Sequence, residues 1–332
     1  MYRLVLSVLA LFFLSECTTS PTTGRPIFTG VVSEQNEAQM GAEEHSKVIR
    51  QFGVNDTSDL NFMVARIGAR LAPYAERKDV RWTFTVLDDD MVNAFAIPGG
   101  YVYITRGLLA LAEDEAEVAA VLAHEMGHVN ARHSAQQMSQ GLLANIGLQA
   151  LGVATGSNVA SQLGGVGADL YLKSYSRGHE FEADALSIKY LSQAGYDVSA
   201  TERFLQKLER STQFEAKMQG QAGAQQFSYL STHPQTPDRV VRARQLAQQV
   251  PQAANPTVNR SGYLQAISGT TYGDGGKDGF VRGNEFIHPQ LKIRFAVPDG
   301  FAIKNTPKAV IADNKNGALI LFDMARSDTT DA

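Results

Sequence analysis

The sequence predicts an α+β fold: a mainly helical domain that carries a small sheet, followed by a small β-rich module. Three observations predict it. Segments 34–53, 58–76, 113–137 and 177–195 repeat apolar residues at helical spacing. Between the second and third, RWTFTVLDDD (81–90) alternates as a strand does, and NAFAIPGGYVYIT (93–105) reads as a hairpin turning at Pro98-Gly99-Gly100. After PQAANPTVN (250–258), a linker by composition, the chain shifts to Gly, Asp, Val, Phe and Ile in short alternating runs such as LKIRFAVPDGF and ALILFDMA. The organisation that follows is a leader over 1–17, a tether over 18–33, the main domain over 34–250 and the β-rich module over 259–332.

The first helix sets Glu37, Glu43, Glu44, Lys47 and Arg50 around Met40, Val48 and Ile49. Pro98 and the two glycines after it place the hairpin at a sheet edge. EDEAEVAAVLAHEMGHVNARHSAQQ (113–137) has acids in its first turn, Ala, Leu and Val through its middle and basic residues near its end, so both ends complement the helix dipole. Residues 141–167 are apolar and glycine-rich, which predicts two short helices with a loop between them, or else a lid. Gly195 stops the helix over 177–195; further helices follow at 200–212 and, after STHPQTP, at 238–249. DGGKDGFVRGNE (274–285) has an EF-hand's Asp, Asp, Gly and Glu at its first, fifth, sixth and twelfth positions, but lacks acids at the third and ninth. It reads as a turn between strands, not a calcium site. ALILFD has little after it to cap a strand, which implies a longer natural chain.

The N-terminus, MYRLVLSVLALFFLSEC, has a basic residue at Arg3 and an apolar core from Leu4 to Leu14, too short for a spanning helix and typical of a secretory leader. LSEC resembles the lipobox of bacterial lipoproteins and marks Cys17 for lipidation, although Glu16 departs from the small residue usual there. Thr18, rather than Asp, favours the outer membrane. Cys17 is the single cysteine, which excludes internal disulfides and cysteine-based zinc ribbons. A transition metal would need His and carboxylate ligands. The balance of 30 basic to 34 acidic residues gives no electrostatic basis for binding nucleic acid.

The chemistry concentrates in two stretches. His124 and His128 stand four residues apart on the helix, an advance of about 400° and about 6 Å, so both imidazoles leave one face and can share one Zn²⁺. Glu125 lies next to them, placed to take a proton from water. Two histidines leave zinc short of its usual three protein ligands. HEFEAD (179–184) offers the third as Glu180, with Asp184 one turn on to accept the other ring N–H of a ligand histidine. Glu182 points away, solvated or paired. His133, five residues beyond His128, reads as a surface histidine, and His179 points elsewhere on its helix. His45 and His288 have no partners nearby in sequence.

HEMGH followed by SRGHEFEAD and STHPQTPDR resembles the HtpX-like and prenyl-protease-like zinc endopeptidases, family 48 of the metallopeptidases, in their secreted bacterial lipoprotein branch. The resemblance covers about residues 34–250. It implies a gluzincin-type domain with one zinc per chain on His124, His128 and Glu180, and Asp184 behind the ligands. It places Asn93 near the substrate and His233 and Arg239 beside the reaction, with His233, helped by Arg239, steadying the oxyanion, or with His233 capping the metal. Substrates would be polypeptides, unfolded or misassembled envelope proteins, cleaved in the periplasm by a protein anchored through its N-terminal lipid. An extended substrate would pair with the 101–105 strand, beside Tyr101 and Tyr103. The rival is a latent or chaperone-like lipoprotein on the same fold, with little turnover.

Overall fold

The computed structural model describes residues 17–30, 32–143, 174–219, 229–234, 237–273, 279–305, 309–314 and 316–323. The leader up to residue 16, the glycine-rich stretch from 144 and the first five residues of DGGKDGFVRGNE lie outside the described residues. The fold is α+β, as the sequence predicts, and separates into two compact units, Met1–Ser268 and Gly269–Ala332.

The first unit is built around one helix. It opens with a small hairpin, β1 (Cys17–Thr19) against β2 (Pro26–Phe28). Helix α1 (Glu34–Phe52) starts where Ser33 Oγ accepts the Asn36 N–H, and ends at Gly53 in the left-handed region. Helix α2 (Ser58–Leu71) buries Leu60, Met63, Val64, Ile67 and Leu71, an apolar stripe at helical period. A short helix α3 (Arg106–Leu111) leads to α4 (Glu115–Asn130), capped by Asp114, every residue of which is buried. Helix α4 therefore has no solvent face, which accounts for its run of Ala, Val and Leu.

The helix predicted over 113–137 is interrupted. Arg132 adopts φ 57°, a left-handed conformation that ends α4, and a new helix α5 (133–143) starts on a different axis. Arg132 is held in that turn by Glu37 Oε1, at 3.0 Å from its Nε, and by the Val32 carbonyl, at 2.6 Å from its Nη2. Glu37 also pairs with Arg77 at 2.7 Å, so it is buried between two guanidiniums.

Helix α6 (Arg177–Ala194) packs along α4. Ser176 caps its start, and Gly195, φ 71°, ends it. At the crossing Gly127 faces Ala183: a Cβ on Gly127 would lie 3.2 Å from the Ala183 Cα and 3.3 Å from its carbonyl oxygen. Helices α7 (Ala200–Gln219), α8 (Tyr229–Thr232), α9 (Pro237–Ala247) and α10 (Arg260–Ile267) complete the shell. Helix α10 belongs to this unit, with Tyr263 in the main core and its hydroxyl donating to the Leu109 carbonyl.

The sheet of this unit has the order β3 (Thr83–Leu87), β5 (Tyr101–Thr105), β4 (Ala94–Ile97). The β4–β5 hairpin forms as predicted, with Gly99 and Gly100 both at positive φ in its turn. The edge placement of 101–105 does not hold. β3 adds in parallel on the far side of β5, pairing Thr83 with Tyr101, so β5 is the central strand and β4 an edge. A hairpin pattern specifies its own pairing but carries no signal for a third strand arriving from outside it.

The second unit holds two antiparallel three-stranded sheets. One is β6 (Phe280–Arg282), β7 (Glu285–His288) and β8 (Ile293–Ala296); the other has β10 (Ala309–Asn314) between β9 (Phe301–Asn305) and β11 (Leu319–Asp323). Among the described residues no helix is long and apolar enough to cross a membrane.

Candidate metal centre

Helix α4 supplies His124, Glu125 and His128; α6 supplies Glu180 and Asp184; the turn after α8 supplies His233 and α9 supplies Arg239. His124, His128, Glu180 and His233 are all buried, and each offers one donor atom within 4.8 Å of the others. His124 Nε2 lies 3.0 Å from His128 Nε2, 3.3 Å from His233 Nδ1 and 3.6 Å from Glu180 Oε2. Glu180 Oε1 lies 3.1 Å from His233 Nδ1 and 3.5 Å from His128 Nε2. A tetrahedron with ligands about 2.0–2.1 Å from its centre has edges of about 3.3–3.4 Å, so these separations are those of donors arranged around one zinc-sized ion.

Glu125 is buried beside this cluster, and neither of its carboxylate oxygens has a hydrogen-bond partner among the described residues. His233 Nε2 stands 3.4 Å from Oε1. A buried carboxylate without donors is costly, and sites of this kind are kept where the group has chemistry to do.

Behind the cluster, His124 Nδ1 is 3.0 Å from Asp184 Oδ1, a contact that orients the ring and leaves Nε2 for the centre. Arg239 holds Asp184 in two-point fashion, Nε to Oδ2 at 2.8 Å and Nη2 to Oδ1 at 2.7 Å, and lies 2.6 Å from Glu180 Oε2. The role of oxyanion donor expected for Arg239 does not fit. Its guanidinium is committed to two carboxylates and to the Pro234 carbonyl, and the side chain is almost wholly buried.

The electrostatics follow from this packing. Burial alone would raise the Glu180 carboxyl, but His233, His124 and Arg239 hold it well below the usual range. Asp184 is lowered in the same way, burial being outweighed by Arg239 and His124. His124 is pushed up to about 9: burial pulls it down, and its contacts with Asp184 and Glu180 more than offset that. His128 moves well below its ordinary value through burial and the positive charge of His124. The cluster is thus built to hold positive charge at its centre, supplied by one proton or by a cation.

Three residues of the centre carry no usable sequence signal. Tyr175 stacks on His128, ring centroids 3.9 Å apart, and Tyr229 stacks on His233 at 4.4 Å. Both reach the site through tertiary contacts: the Tyr175 N–H donates to the Thr232 carbonyl, and the Tyr229 N–H to that of Val92. The third is His133. It is fully buried, with Nδ1 2.9 Å from His128 Nδ1, and is not the surface residue that a continuous helix predicts. The break at Arg132 redirects it. His179, expected to point elsewhere, stacks on His133 at 4.2 Å, and Glu182 is paired, with His133 and with Thr22.

The expected substrate contacts lie on β5 and just before β4. Tyr103 is fully buried, its hydroxyl 2.7 Å from His45 Nδ1, and Tyr101 stacks on His45. Asn93 is buried at the start of β4, its backbone N–H donating to Thr105 Oγ1 and its side-chain oxygen unpartnered among the described residues.

Residues 59–247 match the model of peptidase family M48, more than half of the chain. The chain belongs to peptidase family M48. It is 32% identical over 206 residues to a putative beta-barrel assembly-enhancing protease of Vibrio cholerae, a match covering 58% of this chain and 40% of that one. Over 193 residues it is 30% identical to the beta-barrel assembly-enhancing protease of Escherichia coli, covering 55% of this chain and 38% of the relative. With the mitochondrial metalloendopeptidase OMA1 of Schizosaccharomyces pombe it shares 27% identity over 247 residues, 73% of this chain and 69% of that one. The chain thus spans about two fifths of the length of the bacterial relatives it matches. The cofactor of an M48 site is zinc, and the donor set fits it: three imidazole nitrogens and a carboxylate oxygen within 4.8 Å of one another, beside a buried carboxylate with no hydrogen-bond partner among the described residues.

Proposed function

We propose that the chain is a zinc-dependent endopeptidase that cleaves unfolded or misassembled envelope proteins in the bacterial periplasm, held to a membrane by a lipid on Cys17. The observation that carries the chemistry is the unpartnered, buried Glu125 beside four donors at zinc spacing. His124, His128 and Glu180 would hold zinc there, and it would supply Lewis-acid chemistry and a water more easily ionised near neutrality. Glu125 takes the proton of the attacking water and returns it to the departing amine. Asp184 fixes the ring of His124, and Arg239 holds Asp184 and Glu180 in place rather than touching substrate. The central β5 has neighbours on both sides and is closed to strand addition by a polypeptide. The names of the bacterial relatives support the envelope substrates, and the leader with its LSEC support the periplasmic, lipid-anchored location.

A second reading, a latent protein with little turnover, is favoured by His233. Its Nδ1 stands among the ligand atoms, 3.3 Å from His124 Nε2 and 3.1 Å from Glu180 Oε1, close enough to join them as a further donor. Withdrawn from there, the same ring can donate to a developing oxyanion.

Casein cleavage by the zinc-supplied wild-type chain, beside Glu125→Gln and His233→Ala, separates the readings. The endopeptidase reading expects cleavage by wild type and a loss of about 10²–10⁴-fold in Glu125→Gln with zinc content unchanged. Cleavage only by His233→Ala marks the latent state. No cleavage by any of the three, with zinc bound, would sink the enzymatic reading.

A further inference from the structure

The two ligand histidines of α4 are braced differently. His124 meets a carboxylate directly, Asp184, which Arg239 pins. His128 presents Nε2 to the centre, so its outer nitrogen is Nδ1, and that atom faces His133 Nδ1 at 2.9 Å. His133 Nε2 faces Glu182 Oε2 at 3.4 Å. The other oxygen of Glu182 accepts from the Thr22 hydroxyl. Thr22 sits in the turn between β1 and β2, beside the buried Ser20, whose hydroxyl oxygen is 2.9 Å away.

The protons can be placed along this chain in one consistent way. A neutral His128 that gives Nε2 to a metal carries its proton on Nδ1 and donates it to His133 Nδ1. His133 then carries its own proton on Nε2 and donates to Glu182, which also accepts from Thr22. Every donor meets an acceptor. Continued as a straight helix, α4 would not bring residue 133 beside residue 128; the left-handed Arg132 does so. That turn is tied to the same N-terminal segment, because Arg132 Nη2 donates to the Val32 carbonyl.

We propose that His133 and Glu182 position His128 for metal binding, and that the N-terminal hairpin is part of the metal centre, closing this relay through Thr22. The inference rests on the zinc site described above. It assigns His133, Glu182 and Thr22 as positioning residues; none of them is among the donors that would hold the metal. The relay fixes the His128 tautomer and ring plane and makes Nε2 a better donor. Loss of such an outer partner weakens metal affinity by roughly 10–100-fold.

The test is the zinc dissociation constant of the full chain, by chelator competition, for wild type, His133→Leu, His133→Asn, Glu182→Gln and Thr22→Val. Two further readouts are the visible absorption of the Co²⁺-loaded forms and the melting temperature without metal. Affinity should fall by roughly 10–100-fold in His133→Leu, and less in Glu182→Gln and Thr22→Val. His133→Asn keeps an acceptor oxygen near the Nδ1 position and should recover part of the loss. The Co²⁺ bands should shift in His133→Leu, a change that mere loosening of the fold would not give at an unchanged melting temperature. Should His133→Leu melt early, Glu182→Gln, at a half-exposed position, carries the test alone. Wild-type affinity and wild-type Co²⁺ bands in the His133 and Glu182 variants would overturn the relay and leave the zinc site standing. If wild type and His128→Ala alike fail to bind zinc, the site reading falls first and the relay with it.

Discussion

Arg239 and Asp184 form a two-point ion pair, 2.7 and 2.8 Å, between side chains that are 1% and 2% exposed. Two carboxylates, Asp184 and Glu180, lean on this one guanidinium in a region closed to water. Removing it leaves buried charge uncompensated, which costs about 3–5 kcal/mol. Arg239→Ala is therefore expected to lower the urea midpoint sharply and to lose zinc. Arg239→Lys keeps the charge but not the planar fork, and should fall between Ala and wild type in both measurements.

Gly127 is expected to reject even a methyl group. Ala is the better helix former by about 1 kcal/mol, so Gly127→Ala would stabilise an isolated helix. In this fold the new Cβ meets the backbone of Ala183, at 3.2 and 3.3 Å, which cannot rotate away. Overpacking of this kind costs about 1–3 kcal/mol, and here it parts the helices that carry His128 and Glu180. The melting temperature should drop and zinc affinity should drop with it; a variant more stable than wild type would refute the contact.

The metal-free protein should lose stability as the solution turns alkaline. His124 has its folded value near 9, above the ordinary 6.5, so the native state holds that proton more tightly than the unfolded chain does. The contribution, on the order of 3 kcal/mol, is complete below pH 6.5 and disappears as pH rises through 9. His128 acts in the opposite direction: pushed well below 6.5, it favours unfolding as pH falls beneath that value. Melting temperatures without metal should peak near neutrality. Zinc added there displaces the His124 proton, so calorimetry in buffers of different ionisation enthalpy should detect about one proton released per zinc.

Tyr103→Phe should leave catalysis almost untouched. The residue lies on the central strand, buried against Phe95, with its hydroxyl on His45. The variant loses about 1 kcal/mol of stability with that bond. A fall of kcat/KM on casein beyond about tenfold, which corresponds to about 1.4 kcal/mol, would return Tyr103 to the substrate path.

Residues that meet through helical spacing were legible in the sequence; those that meet through a break or a crossover were not. His124, Glu125 and His128 follow from one helix, and Glu180 and Asp184 from another, because a period of 3.6 determines which side chains share a face. His133 escapes that logic because the α4 helix ends about two turns early, at a left-handed arginine held by Glu37 and Val32, both about a hundred residues earlier in the chain. β5 escapes it because its parallel neighbour joins by a non-local pairing. Arg239 was placed in the right region with the wrong neighbours: spacing carries no record that two buried carboxylates and a carbonyl would claim its guanidinium.

The meeting of Gly127 with Ala183 also bears on which ion the centre accepts. With only a hydrogen at position 127, the two ligand-bearing helices touch main chain to main chain, and the span between the histidines and Glu180 is fixed by two rigid rods. A larger ion asking for longer bonds or more ligands would have to bend those rods instead of turning a rotamer. Geometry and donor type together set the selectivity of such a centre, and here the smallest of residues holds the geometry.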